Sequence, residues 1–171
     1  MSFLSRIFGH RAERAPYASL YAWVVGQGRD PAWYREGAVP DTLDGRFDMI
    51  AAILALVLLR LEQAGDTSKA SALIAETFIE DMEGSIRQMG IGDLMVGKNV
   101  GRMMSALGGR LTAFRAAIAA GSGFDGPVRR NIFHDAPPSD AAAAFVSRRL
   151  QDLHDRLAAM PVDDILTGDL P

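Results

Sequence analysis

Apolar residues recur at helical spacing along most of this chain, and capping residues, not strand-like alternation, interrupt them. Leu20, Tyr21, Val24 and Val25 predict a helix over Tyr17–Gly28. Asp30-Pro31 reads as an N-cap followed by a first-turn proline, which opens a short helix over Asp30–Glu36. Gly37–Leu43, with Pro40 inside it, reads as a loop. The next helix, Asp44–Gln63, is apolar nearly all round. Phe47, Ala51, Leu54, Leu58 and Leu61 share one face, Leu56 and Leu59 point elsewhere, and Met49–Leu59 contains no polar residue. Such a helix must be surrounded by protein, so it is expected at the centre of the fold with Leu54 and Leu58 buried.

Gly65–Ser68 breaks the pattern, with Asp66 or Ser68 as the next cap. Ser68–Met89 is amphipathic: Ile74, Phe78, Met82, Ser85 and Met89 lie on one side, Glu76, Glu80, Glu83 and Arg87 on the other. Gly90 suits a helix C′ position, and Asp93 suits the cap of a helix reaching about Ala120. Gly121–Gly126 is a turn and Val128–His134 a short segment. Ser139 caps a helix to about Met160, with Phe145, Leu150, Leu153 and Leu157 as its buried stripe. Pro161 ends that helix, and the tail to Pro171 is expected to be partly disordered. No repeat and no strand stands out. The expectation is an all-α protein: a single compact multi-helix bundle with a C-terminal helical extension. Residues 1–14 form a short basic and apolar segment, 15–121 the helical core, and 122–171 the extension packed on it.

Composition narrows the chemistry. The chain has 171 residues, enough for one domain with a real core. Its net charge of −3 and pI of 5.6 offer nucleic acid nothing global to bind. The absence of cysteine excludes disulfides, thiolate chemistry and Cys-ligated zinc. The apolar runs fall short of the roughly 20 residues a membrane-spanning helix needs, and no signal-peptide core opens the chain. A soluble protein is expected. Phe3, Leu4, Ile7 and Phe8 among Arg6, His10, Arg11 and Arg14 allow peripheral membrane contact through the N-terminal segment.

No constellation reads as a catalytic or metal site. Gly92–Lys98 (GDLMVGK) follows the P-loop pattern, but Asn99 lacks the hydroxyl that would hold magnesium, and an amphipathic helix precedes it where a strand is required. Gly97 and Gly101, four apart, instead suit close approach of another helix. The acids Asp41, Asp44 and Asp48, like Glu80, Asp81 and Glu83, read as caps and solvated faces. His10, His134 and His154 form no metal spacing. No cofactor is expected.

Three segments carry a family resemblance: VVGQGRDPAWYREGAVPDTLDGRFDM, FIEDMEGSIRQMGIGDLMVGKNVGRM and GGRLTAF, in that order within about Tyr17–Ile118. The chain resembles the ubiquinol–cytochrome c chaperone family, assembly factors of the cytochrome bc1 complex, and looks like a bacterial member. The resemblance implies a helical, non-enzymatic protein that binds newly made cytochrome b, or another membrane subunit. It also implies a small helical co-chaperone as a partner, as in the mitochondrial members, which work near the ribosomal exit. The expected location is the cytoplasm, at the cytoplasmic face of the inner membrane. The chain departs from the family where a histidine is usual, at Ile53, and at Gln88, Leu107 and Gly108.

The residues best placed for partner binding are Asp41, Asp44, Arg46, Asp81, Arg87, Asp93, Lys98 and Arg110, beside methionines that adapt to varied shapes. Arg46 and Arg110 are expected in one cluster with Asp41, Asp44 or Asp81, Arg46 in a structural role and Arg110 more exposed. Two rival readings use the same residues. One is a small-molecule binder or enzyme built on the Asp/Arg cluster. The other is a helical adaptor that dimerises through Gly97 and Gly101.

Overall fold

The computed structural model describes residues 13–88, 93–136 and 138–170, with the side chains of all of these except Ile86, Gln88 and residues 93–98. A 3-10 turn at Ala15–Tyr17 leads into α1 (Ala18–Gly28) and α2 (Pro31–Arg35). The long helices α3 (Leu43–Gln63), α4 (Ser68–Gln88) and α5 (Asp93–Ala120) follow, and α6 (Asp125–Asn131), α7 (Asp140–Ala159) and α8 (Val162–Thr167) complete the chain. Among the described residues there is no strand.

The centre of the fold is α3. The Thr42 hydroxyl accepts a hydrogen bond from the Gly45 amide at 3.1 Å and caps the helix. Gly45 is required there, because a Cβ at that position would lie 1.9 Å from the Pro40 carbonyl oxygen. From Met49 to Leu59 every residue of α3 is buried. The helix is enclosed by α1, α4, α5 and α7, which explains its lack of a polar face. Each large side chain buried there contributes about 1.5–3 kcal/mol. Gly28 lets α1 approach: a Cβ would meet Ile50 Cγ1 at 2.6 Å. Leu54 and Leu58 are buried as the pattern requires. Ile53 and Leu107 are buried too, so two of the departures from the family pattern are apolar core positions.

The neighbouring helices present the stripes their sequences carry. Ile74, Phe78 and Met82 of α4 are buried, as are Val146, Leu150, Leu153 and Leu157 of α7. The Ser139 hydroxyl caps α7 at the Ala142 amide. Arg60 of α3 closes its other end, donating to the carbonyls of Leu157 at 3.0 Å and Met160 at 2.8 Å. The Leu157 carbonyl otherwise receives only the capping bond from the Met160 amide, at 3.3 Å, so a cation there adds to the hydrogen bonding of the last turn and suits the helix dipole.

Several expectations change. The tail is ordered as α8, whose Ile165 is fully buried, and α8 packs on α1. Phe145 is only half-buried; Ala142, Ala143 and Val146 occupy that end of the α7 stripe. Thr67, not Asp66 or Ser68, precedes α4, and its hydroxyl donates to the Leu61 carbonyl. The short helix after the glycine turn is Asp125–Asn131, three residues earlier than the apolar pattern suggested. Gly101 is exposed with nothing near its missing Cβ, so none of the described helices uses it for close approach. Gly90 falls outside the described residues, as does the apolar part of the N-terminal segment. Arg14 is described, and binds Glu76 and Glu80 of α4.

Candidate functional site

A cleft of about 620 Å³ opens where the first turns of α3 face the C-terminal half of α4 and the N-terminal half of α5. Its apolar lining is Leu43 and Phe47 from α3, Met82 from α4 and Met103 from α5. Asp44, Ser85, Asn99 and Arg102 supply polar walls, and His134, from the turn after α6, stands at one edge.

Below the cleft lies a buried ion pair. Asp48 sits one helical turn after Asp44, in the stretch of α3 that sinks into the core. Arg110 of α5 reaches it across the bundle: Nη2 donates to Asp48 Oδ1 and to the Asn131 carbonyl, and Nη1 donates to the Ala106 carbonyl at 3.0 Å. The Phe47 ring lies 5.7 Å from the guanidinium carbon. His134 Nε2 donates to the other carboxylate oxygen, Asp48 Oδ2, at 2.9 Å. His134 and Asp135 both take left-handed backbone conformations, φ 50° and 62°, a turn that carries the ring back toward α3. Both oxygens of Asp48 are therefore engaged. Arg110 Nε is buried without a hydrogen-bond partner.

Burial dominates the electrostatics. It pushes the Asp48 carboxyl above the ordinary carboxylate range, against the opposing pull of Arg110 and His134. It draws Arg110 below its usual value, although an arginine stays cationic throughout the working range. Such a pair holds α3, α5 and the α6–α7 turn in one arrangement, because removing either member strands a charge in the core.

The sequence-selected residues fall in several places. Arg110 and Asp44 meet at the cleft. Arg46 and Asp41 form an exposed pair at the start of α3, 2.7 Å apart, in which the guanidinium hydrogen bond lowers the Asp41 carboxyl and raises Arg46. Asp81 accepts a hydrogen bond from the Tyr21 hydroxyl at 2.8 Å, on the side of α4 that faces α1. Burial first, and then Asp81, raises Tyr21 above the ordinary phenol range. Arg87 reaches Glu83 one turn away on α4. The side chains of Asp93 and Lys98 lie outside the described ones. Lys98 and Asn99 belong to helix α5, and the element before it is helix α4, so GDLMVGK lacks the strand-loop-helix frame of a P-loop.

The expected roles of the two arginines are reversed. Arg110 is the buried structural residue and Arg46 the exposed one, because α3 enters the core only after its first turn. The acid that Arg110 needs is Asp48, which sequence reasoning assigned to capping or solvent. A signal for it existed: Asp48 lies between Phe47 and Met49, at the threshold of a stretch of helix with no polar residue until Arg60. An acid so placed requires a buried cation. His134 and Arg102 carried no comparable mark. Among the described residues no three acidic or histidine side chains gather to hold a metal.

Comparisons with known proteins agree with this architecture. The sequence model of a family described as "Ubiquinol-cytochrome C chaperone" matches residues 35–170, reaching through α7 and α8. Among solved structures, the crystal structure of the Cbp3 homologue from Brucella abortus is similar, with a TM-score of 0.80 and 25% identity. The match covers 98% of this chain and 95% of that one. No curated protein matches the chain.

Proposed function

The chain belongs to the ubiquinol–cytochrome c chaperone family, and from that premise we propose that it is a non-enzymatic assembly chaperone that holds cytochrome b while the cytochrome bc1 complex is built. It acts at the cytoplasmic face of the inner membrane, where such a client is inserted. Among the described residues no helix is long and apolar enough to cross a membrane, so the client supplies the membrane-spanning part. The observation that carries the reading is the cleft, whose lining methionines and phenylalanine offer an adaptable apolar surface beside fixed charges.

Its size sets what it can hold. A membrane-spanning helix about 30 Å long and 10 Å across occupies well over 2,000 Å³ by its ~5 Å radius. The cleft, at about 620 Å³, takes a few side chains of a client and not a whole helix. The reading is therefore of a docking contact rather than a cage. Both Asp48 oxygens are engaged, one by Arg110 and one by His134, so this buried acid serves the fold and not proton transfer.

The test is genetic and biochemical together. Deleting the gene should lower membrane cytochrome b and ubiquinol–cytochrome c reductase activity, and the tagged protein should co-purify cytochrome b from detergent-solubilised native membranes. Normal enzyme levels in the deletion strain, with no cytochrome b in the purified fraction, would refute the proposal.

A further inference from the structure

We infer that the α3–α4–α5 cleft docks a client segment in which an apolar anchor is flanked by one acidic and one basic residue. The inference rests on the chaperone reading above and adds the place and chemistry of the contact. Two charges at the cleft differ from the ion pair beneath it. Arg102 of α5 and Asp44 of α3 both line the cleft, and neither forms a hydrogen bond or ion pair among the described residues. Asp48 and Arg110, by contrast, are buried and bound to each other, and serve the fold. These exposed, unpaired charges of opposite sign, on two different helices, are free to meet the complementary charges of a partner: a carboxylate for Arg102 and a cation for Asp44.

The apolar part of the contact has its own support. Leu43 and Met104 are the exposed large hydrophobic side chains of the described residues, 40% and 51% accessible. Leu43 lines the cleft; Met104 lies outside the lining. An exposed Leu43 beside Phe47, Met82 and Met103 fits an inserted aliphatic or aromatic anchor. Segments of membrane proteins at the edge of the bilayer have this composition, apolar residues giving way to charged ones. Arginine suits the wall because its planar fork binds a carboxylate at two points, and the methionines tolerate variation in the anchor.

The experiment places a photoreactive phenylalanine analogue at Leu43 or Ser85 in the cleft, or at Ala119 near the far end of α5, in the full chain expressed in its native cells. Cross-linked products are probed for cytochrome b. In parallel, Arg102→Glu, Asp44→Lys and Arg102→Lys variants are purified from membranes and the bound cytochrome b is measured. Thermal midpoints report whether each variant folds. Cross-links to cytochrome b from Leu43 and Ser85 but not Ala119 are expected. Each charge reversal should lower bound cytochrome b by about fivefold or more with an unchanged midpoint, and Arg102→Lys should retain most of it. Cross-links to cytochrome b from Ala119 alone, or from Leu43 to a second copy of this chain, overturn the inference and leave the chaperone reading standing. Wild-type binding in both reversals does the same. Absence of cytochrome b from every cross-link and every purified fraction removes both.

Discussion

Two aspartate–arginine pairs begin on the same helix and do opposite things. Asp41 and Arg46 meet at the exposed start of α3, with side chains 57% and 54% accessible. Asp48 and Arg110 meet one to two turns further in, with side chains 7% and 4% accessible. The chemistry is the same; the surroundings decide the consequence. Water screens the first pair and competes for its hydrogen bonds, so it adds little to stability. Nothing replaces a lost partner in the second, so it fixes the geometry beneath the cleft.

The largest expected effect separates the two pairs most clearly. Arg110→Ala strands the Asp48 carboxylate in the core and should destabilise the protein by about 3–5 kcal/mol, seen in urea unfolding near neutral pH. The effect should shrink in acid, because a protonated Asp48 needs no cation. A loss that stays the same at every pH would show that packing, and not charge, makes Arg110 important. Leu54→Ala, in the fully buried face of the same helix, should cost about 2–5 kcal/mol through lost burial and a cavity. That loss should be indifferent to pH, which makes it the control for Arg110.

Acid titration sharpens the contrast. Asp48 has a raised carboxyl in the folded state, so the native protein binds its proton more tightly than the unfolded chain does. Its contribution is fully present below the ordinary carboxylate value and is lost as pH rises through the raised one. Asp41 has a lowered carboxyl, so its smaller contribution is present above the ordinary value and lost as pH falls through the lowered one. The stability of the wild type minus that of Asp48→Asn should therefore fall as pH rises from about 4 to 7, because only the wild type loses the Asp48 contribution in that window. A difference that rises with pH would reverse the assigned direction. The smallest effect belongs to the exposed pair: Arg46→Ala should leave the thermal midpoint within measurement scatter. A large drop would mean that Arg46 has a buried role in solution.

The helices were legible in the sequence because their signals are local. The apolar run of α3, the amphipathic stripe of α4, and the caps at Asp30 and Ser139 each depend on residues within a few positions. The core followed, since a helix without a polar face has one place to go. The tail was misread because its order comes from distant packing: Ile165 is buried against elements far away in sequence. The candidate site was less legible for the same reason. Arg110 was singled out as a partner-facing cation, but it is buried, and that burial depends on α3, α5 and the α6–α7 turn converging. Asp48 carries a readable mark, an acid set between Phe47 and Met49 where the apolar run of the helix begins. His134 carries none, because a left-handed turn that no sequence pattern announces brings it to Asp48.

The central claim is that this protein holds a membrane client during assembly and then lets it go. Pulse labelling of new cytochrome b, followed by a chase and capture on the tagged chain, measures that directly. The account predicts labelled cytochrome b on the chain at the earliest times, falling as label enters the mature bc1 complex. Label that reaches the mature complex without ever appearing on the chain would contradict it.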